Sequence, residues 1–159
     1  MGLAVSAAFG LGLVFGGDDD GWTTYRDQEY GFEIRYPEGW TAAERAGPGV
    51  RLVPDANIAD PLVDRQAPAV IVILDSEGDW CGSGRIESRP ITVSGVRGEE
   101  HSCYPPDDLC LPAPGCEPTT IVRFFQGRDG TVYRVLGQTD GDVDMVRRVV
   151  QSFRFIGSP

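Results

Sequence analysis

The 159-residue chain holds one His, four Cys and 24 acidic residues against 14 basic ones, so any chemistry must be found among few groups. A Ser/His/Asp relay would have to run through His101, with Ser102 beside it at a strand end. No G-x-S-x-G elbow accompanies them, so His101 is read as a solvated residue rather than a general base. Cys81, Cys103, Cys110 and Cys116 could supply a nucleophile only as free thiols, and their even number in turn-rich stretches marks them for oxidation. The spacing of the last three lacks the C-x2-4-C knuckle of a zinc site, so no metal is assigned to them.

Four cysteines allow three connectivities, and sequence leaves all three open. The pairing favoured here is Cys81 with Cys103, leaving Cys110 with Cys116. The second bridge would close Leu111, Pro112, Ala113, Pro114 and Gly115 into a small stiff loop, which loses little entropy on docking. Those five residues, with Trp80 near the first cysteine, are the candidate binding surface. Trp22 and Trp40 are further aromatic candidates for a sugar or peptide site, Trp40 being read as core.

The carboxylates are read structurally. Asp140, Asp142 and Asp144 alternate like the start of a calcium loop, but Met145 stands where Gly is required and Gln151 where Glu is required, which excludes an EF-hand. They suit a helix N-terminus, where carboxylates satisfy unpaired N–H groups. Glu99 and Glu100 are strand neighbours and point to opposite faces, so they cannot share a substrate; Asp107 and Asp108 have no visible acid/base partner. All 14 basic residues are Arg, which excludes lysine Schiff bases and P-loops. The net charge of -10 excludes nucleic acid as a partner, because binding phosphates requires clustered cations.

The elements that would hold these groups follow from periodicity. Trp22 to Tyr30 is a polar lead-in, and Phe32, Ile34 and Tyr36 alternate with Glu33 and Arg35 as a half-buried strand. Short strands at Trp40 to Glu44 and Val50 to Val53 would continue it as an antiparallel meander. Asp55 to Gln66 has room for one short helix, Ala69 to Leu74 is a central strand, and Trp80 to Arg89 is loop. Ile91 to Val93 and Val96 to His101 flank Gly95 as strand pieces. Ile121 to Gln126 and Thr131 to Leu136 form a β-hairpin around Gly127 to Gly130. Val143, Val146, Val149 and Val150 recur at helical spacing with Asp140 or Asp142 as N-cap and Arg147 and Arg148 toward the far end, and Phe153 to Ile156 closes the chain as a strand.

Ahead of these, Leu3 to Phe15 is an apolar run followed by Gly16, Gly17 and the acidic triplet Asp18 to Asp20. Residues 1–21 are read as a signal peptide or N-terminal membrane anchor with an acidic spacer, Val14 and Gly16 being available as cleavage-site residues. As a helix the run would reach roughly 20 Å against a hydrocarbon core of roughly 30 Å, which fits an export signal better than a full span. No Arg precedes it, so further residues upstream of Met1 are expected. With no Cys after the run, a lipoprotein anchor is not supported. The expected location is extracytoplasmic: secreted, periplasmic or tethered to the outer membrane face, with membrane contact only through this segment.

Tyr30-Gly31-Phe32, Tyr36-Pro37 and Gly39-Trp40 near the start, and a last helix running into Gln151-Ser152-Phe153-Arg154-Phe155, resemble the opening and close of PsbP-like domains. The resemblance spans residues 22–156 and would make 22–159 one PsbP-like domain with a cysteine-rich loop at about 80–118. It implies an α+β fold, a central antiparallel β-sheet flanked by helices on both faces in an α/β/α sandwich. The fold is shared by extrinsic photosystem II subunits, a Ran-binding nuclear protein and exported bacterial proteins of unknown role, none of them an established enzyme. The four-cysteine insertion and the absence of Lys depart from the photosynthetic members, so no ligand residue is carried over. The expected function is a non-catalytic binding or assembly module without cofactor, whose partner is another envelope or extracellular protein. An exported protease inhibitor using the Cys110 to Cys116 loop and a weak calcium-binding protein are the alternatives.

Overall fold

A computed structural model describes residues 13–15, 21–44, 48–55, 68–74, 81, 84–105, 118–126, 130–139 and 142–156. Their elements are β1 (Leu13–Phe15), β2 (Trp22–Asp27), β3 (Phe32–Pro37), β4 (Trp40–Glu44), β5 (Gly49–Pro54), β6 (Ala69–Leu74), β7 (Ile86–Val93), β8 (Val96–Cys103), β9 (Thr120–Gln126), β10 (Val132–Gln138), α1 (Val143–Ser152) and β11 (Arg154–Phe155). They build two antiparallel sheets, one of seven strands ordered β4-β5-β6-β10-β9-β8-β7 and one of four ordered β1-β2-β3-β11.

The inward face of the larger sheet is set by period-two alternation: Val50 and Leu52, Val70, Val72 and Leu74, Tyr133 and Val135, and Ile121 and Phe125 all enter one apolar cluster. Its other wall comes from Trp22, Phe32, Ile34 and Tyr36 of the smaller sheet and from Val146, Val149 and Val150 of α1. Phe153 joins the layers, stacking on Phe32 at 5.6 Å and on Phe125 at 5.5 Å between ring centroids, while Phe155 meets Phe125 and Tyr133 edge-on. Gly137 lets α1 lie close on β10: a Cβ there would come within 2.5 Å of Val146 Cγ1 and 2.8 Å of Val150 Cγ2.

This arrangement corrects the expected α/β/α sandwich. Among the described residues α1 is the one helix, and it shares its face of the larger sheet with a second sheet. The difference arises in the lead-in. Trp22–Asp27 reads as polar, but its Trp, Thr, Thr and Tyr favour extended backbone, and β2 pairs along its whole length with β3. Asp27 Oδ1 accepts from the Tyr30 N–H at 3.0 Å and so shapes the turn between them. β2 and β3 thus cover the core beside α1, where the sandwich expected helices alone.

The expected meander is also corrected. β3 pairs with β2, whereas β4 pairs with β5 in the other sheet, because the chain changes sheets at Glu38 and Gly39, the latter at φ 81°. Glu38 N–H donates to the Gly21 carbonyl at 2.8 Å, holding β3 on β2 up to the crossing. The loop expected from Trp80 to Arg89 ends early, since β7 begins at Ile86. Leu13–Phe15, the end of the apolar leader run, is extended and pairs with β2 as the edge of the smaller sheet. The short helix expected within Asp55 to Gln66 lies outside the described residues from position 56 onward. No helix among the described residues is long and apolar enough to cross a membrane.

Candidate functional site

The cysteine-rich region meets the sheet at one end of β8. Cys81 is bonded to Cys103, the last residue of β8, with 5.1 Å between their Cα atoms, in agreement with the first of the two favoured bridges. The Cys103 carbonyl accepts from the Thr119 N–H at 2.9 Å and from Thr119 Oγ1 at 3.3 Å, so the chain leaving β8 and the chain returning to β9 are tied at one point. Pro118 is fixed in turn by Thr139 Oγ1, which donates to its carbonyl at 2.7 Å. Beside the bridge, Tyr104 hydroxyl donates to Glu87 at 3.1 Å and the Arg85 guanidinium lies 4.3 Å from its ring. Burial first, then the bond to Glu87, raises the Tyr104 phenol above its ordinary value. Leu111, Pro112, Ala113, Pro114, Gly115, Trp80, Cys110 and Cys116 lie outside the described residues.

His101 is not gathered into a relay. Its Nε2 lies 3.2 Å from Glu99 Oε2 and its ring tilts against Phe124 at 4.9 Å, on the face opposite Ser102. Glu99 and Glu100 part as alternation requires, Glu99 to solvent and Glu100 to the inward face. There Arg89, Glu100 and Arg123 stand directly opposite one another on β7, β8 and β9. Arg123 Nε donates to Glu100 Oε2 at 2.6 Å and Arg89 Nε to Oε1 at 2.9 Å, while Arg123 also reaches the Val150 carbonyl near the end of α1 at 3.4 Å. Every member has a partner, so the cluster is a structural pairing, buried at Glu100 and Arg123 and exposed at Arg89. Asp142 caps α1 by accepting from the Met145 N–H at 3.1 Å, and Asp144 pairs with Arg147 at 3.3 Å. Among the described residues no group of three or more His, Cys, Asp or Glu is placed to hold a metal ion.

A cleft of about 190 Å³ opens between the smaller sheet and the last turn of α1, lined by Trp22, Arg35, Arg148, Gln151 and Ser152. Trp22 is its buried floor. The Arg148 guanidinium carbon is 4.8 Å from the indole centroid and that of Arg35 is 5.9 Å away. Ser152 Oγ accepts from the Arg35 N–H at 2.8 Å and lies 3.0 Å from the Arg35 carbonyl and 2.7 Å from the Val149 carbonyl, which fixes the helix end on β3. Sequence reasoning singled out Trp22 but not its companions, because Arg35 belongs to a neighbouring strand and Arg148 lies more than a hundred positions away. The Trp22-to-Arg35 proximity follows only from pairing Thr24 with Arg35.

No protein-family model and no curated protein matches the sequence. Among solved structures, the chain is similar to the solution structure of cyanobacterial PsbP (CyanoP) from Synechocystis sp. PCC 6803, at a TM-score of 0.53 and 15% identity, over 91% of this chain and 98% of that one. At that identity the likeness shows the fold alone: the chain is PsbP-like in fold.

Proposed function

We propose that this PsbP-like domain is a non-catalytic extracytoplasmic module that binds another envelope or extracellular protein through the cysteine-braced end of its larger sheet. The observation that carries the proposal is the Cys81 to Cys103 bridge, together with the Thr119 bonds to the same Cys103. Disulfides persist in oxidising compartments, which supports export. Anchoring of both ends of the 104–118 segment lowers the ordering cost of recognition by Leu111, Pro112, Ala113, Pro114 and Gly115, and Trp80 is the sequence neighbour of the bridged Cys81. The PsbP-like fold supports a binding or assembly role, and the isolation of His101 from Ser102 supports the absence of catalysis.

The test is cross-linking and capture from envelope and secreted fractions with the intact chain, with Leu111→Asp, and with Pro112→Gly/Pro114→Gly. Capture that the loop variants abolish, while their unfolding transitions stay unchanged, supports the module. Equal capture by all three proteins removes the loop from the interface. Turnover of any substrate in an unbiased hydrolase screen, lost in His101→Ala, would overturn the non-catalytic assignment.

A further inference from the structure

We infer that the cleft floored by Trp22 is a receptor for a carboxylate group, gripped by Arg148 with Arg35 beside it. The inference stands apart from the cysteine-braced end and uses none of its residues.

The charge distribution is the first ground. In a chain of net charge -10, two guanidinium groups converge on a single indole. Arg147 and Arg148 are sequence neighbours with different fates: Arg147 pairs with Asp144, whereas exposed Arg148 has no carboxylate partner among the described residues and rests against Trp22. Contact with an aromatic ring leaves a guanidinium's in-plane N–H groups available, and their fork matches the two oxygens of a carboxylate.

Size and rigidity are the second. The cleft is shallow and open to solvent, and its volume of about 190 Å³ gives room for one acidic side chain or a small organic acid. Ser152 spends its hydroxyl on Arg35 and Val149 backbone groups, so it sets the spacing of the two arginines rather than binding a ligand. Gln151 remains as a neutral donor in the lining.

The helix end discriminates between anions. Phosphate sites commonly use a helix N-terminus, whose N–H groups favour dianions. Here the turn beside the cleft is the C-terminal one, whose carbonyls disfavour negative charge. Two of those carbonyls are already compensated, Val150 by Arg123 and Gln151 by Arg154 at 2.6 Å, which makes a single negative charge tolerable and a double one less so.

The experiment follows the Trp22 indole N–H, assigned with Trp22→Phe, in 15N-labelled full-length protein titrated with N-acetylglutamate, a tetraglutamate peptide and inorganic phosphate. Expected is a saturable shift with a carboxylate probe, weakened about tenfold in Arg148→Gln and nearly as much in Arg148→Lys, which keeps the charge but loses the fork. Arg147→Gln leaves it unchanged. A response to tetraglutamate alone identifies the source as an acidic protein segment, and an equal response to N-acetylglutamate identifies a free acid. Phosphate binding tighter than either, full retention in Arg148→Lys, equal weakening in Arg147→Gln, or shifts that never saturate would each overturn the inference.

Discussion

Arg123 donates through Nε to Glu100 Oε2 at 2.6 Å, and both side chains are buried beneath the end of α1. Removing the carboxylate leaves a guanidinium without its counter-charge in the core, which is far costlier than losing an exposed ion pair. Glu100→Ala is therefore expected to destabilise the fold by about 3–5 kcal/mol. Arg89 bonds the same carboxylate from the sheet edge but its side chain is 60% exposed, so Arg89→Ala should cost at most about 1 kcal/mol. Urea denaturation of the two variants measures the difference; equal losses would mean that Glu100 is effectively solvated.

Gly137 holds the helix against the sheet. Gly137→Ala drives a methyl into Val146 and Val150, and overpacking of this kind costs about 1–3 kcal/mol. Thermal unfolding should show the loss, and Val146→Ala in the same chain should recover part of it by making room. Recovery fails if the strain lies in the backbone of β10 instead.

The Cys81 to Cys103 bridge closes a loop with a sequence separation of 22. Loop-closure entropy for that length corresponds to about 3 kcal/mol, acting mainly on the unfolded chain. Cys81→Ser/Cys103→Ser should lower the stability extrapolated to water by that amount and steepen the urea slope, because the unfolded chain freed of its cross-link exposes more surface. A variant as stable as the parent would show that the reduced chain is already ordered there.

Two tyrosines make alkaline stability predictable. Tyr104 is raised from 10.0 by burial and then by Glu87, and Tyr36 by burial and then by Asp55. A folded-state value above the unfolded one contributes stability that is fully present below about pH 10 and lost as pH rises through the folded value. Stability should thus fall above about pH 10, less steeply in Tyr36→Phe. Absorbance at 295 nm should show Tyr104 ionising late in the parent and earlier in Glu87→Gln.

Much of the local structure is legible in the residues. The alternation of Phe32, Ile34 and Tyr36, the continuous apolar run Ala69–Leu74 and the hairpin of β9 and β10 form strands where the residue pattern places them, β3 with one side chain in two facing the core and β10 buried on both faces. Val143, Val146, Val149 and Val150 are the buried stripe of α1 and Asp142 is its cap, as spacing and capping chemistry require. Trp22–Asp27 defeats the same logic. Its middle residues are half-buried on both sides, so no alternation marks it, and it is pairing with β1 and β3 that makes it a strand.

Composition, cysteine parity and the surroundings of His101 in the chain are properties of the chain itself, and from them sequence alone determined that lysine chemistry is unavailable and that His101 has no G-x-S-x-G elbow beside it. Side-chain periodicity also determined which faces of β3 and α1 are apolar, because each face repeats within a few residues. What covers those faces depends on contacts far apart in the chain. Only the tertiary structure decided that a second sheet shares the core with α1, that Cys81 meets Cys103, and that Trp22, Arg35 and Arg148 converge in one cleft. These outcomes rest on register and crossing points such as Gly39, where a single turn sends the chain to one sheet or the other and no local pattern records the choice.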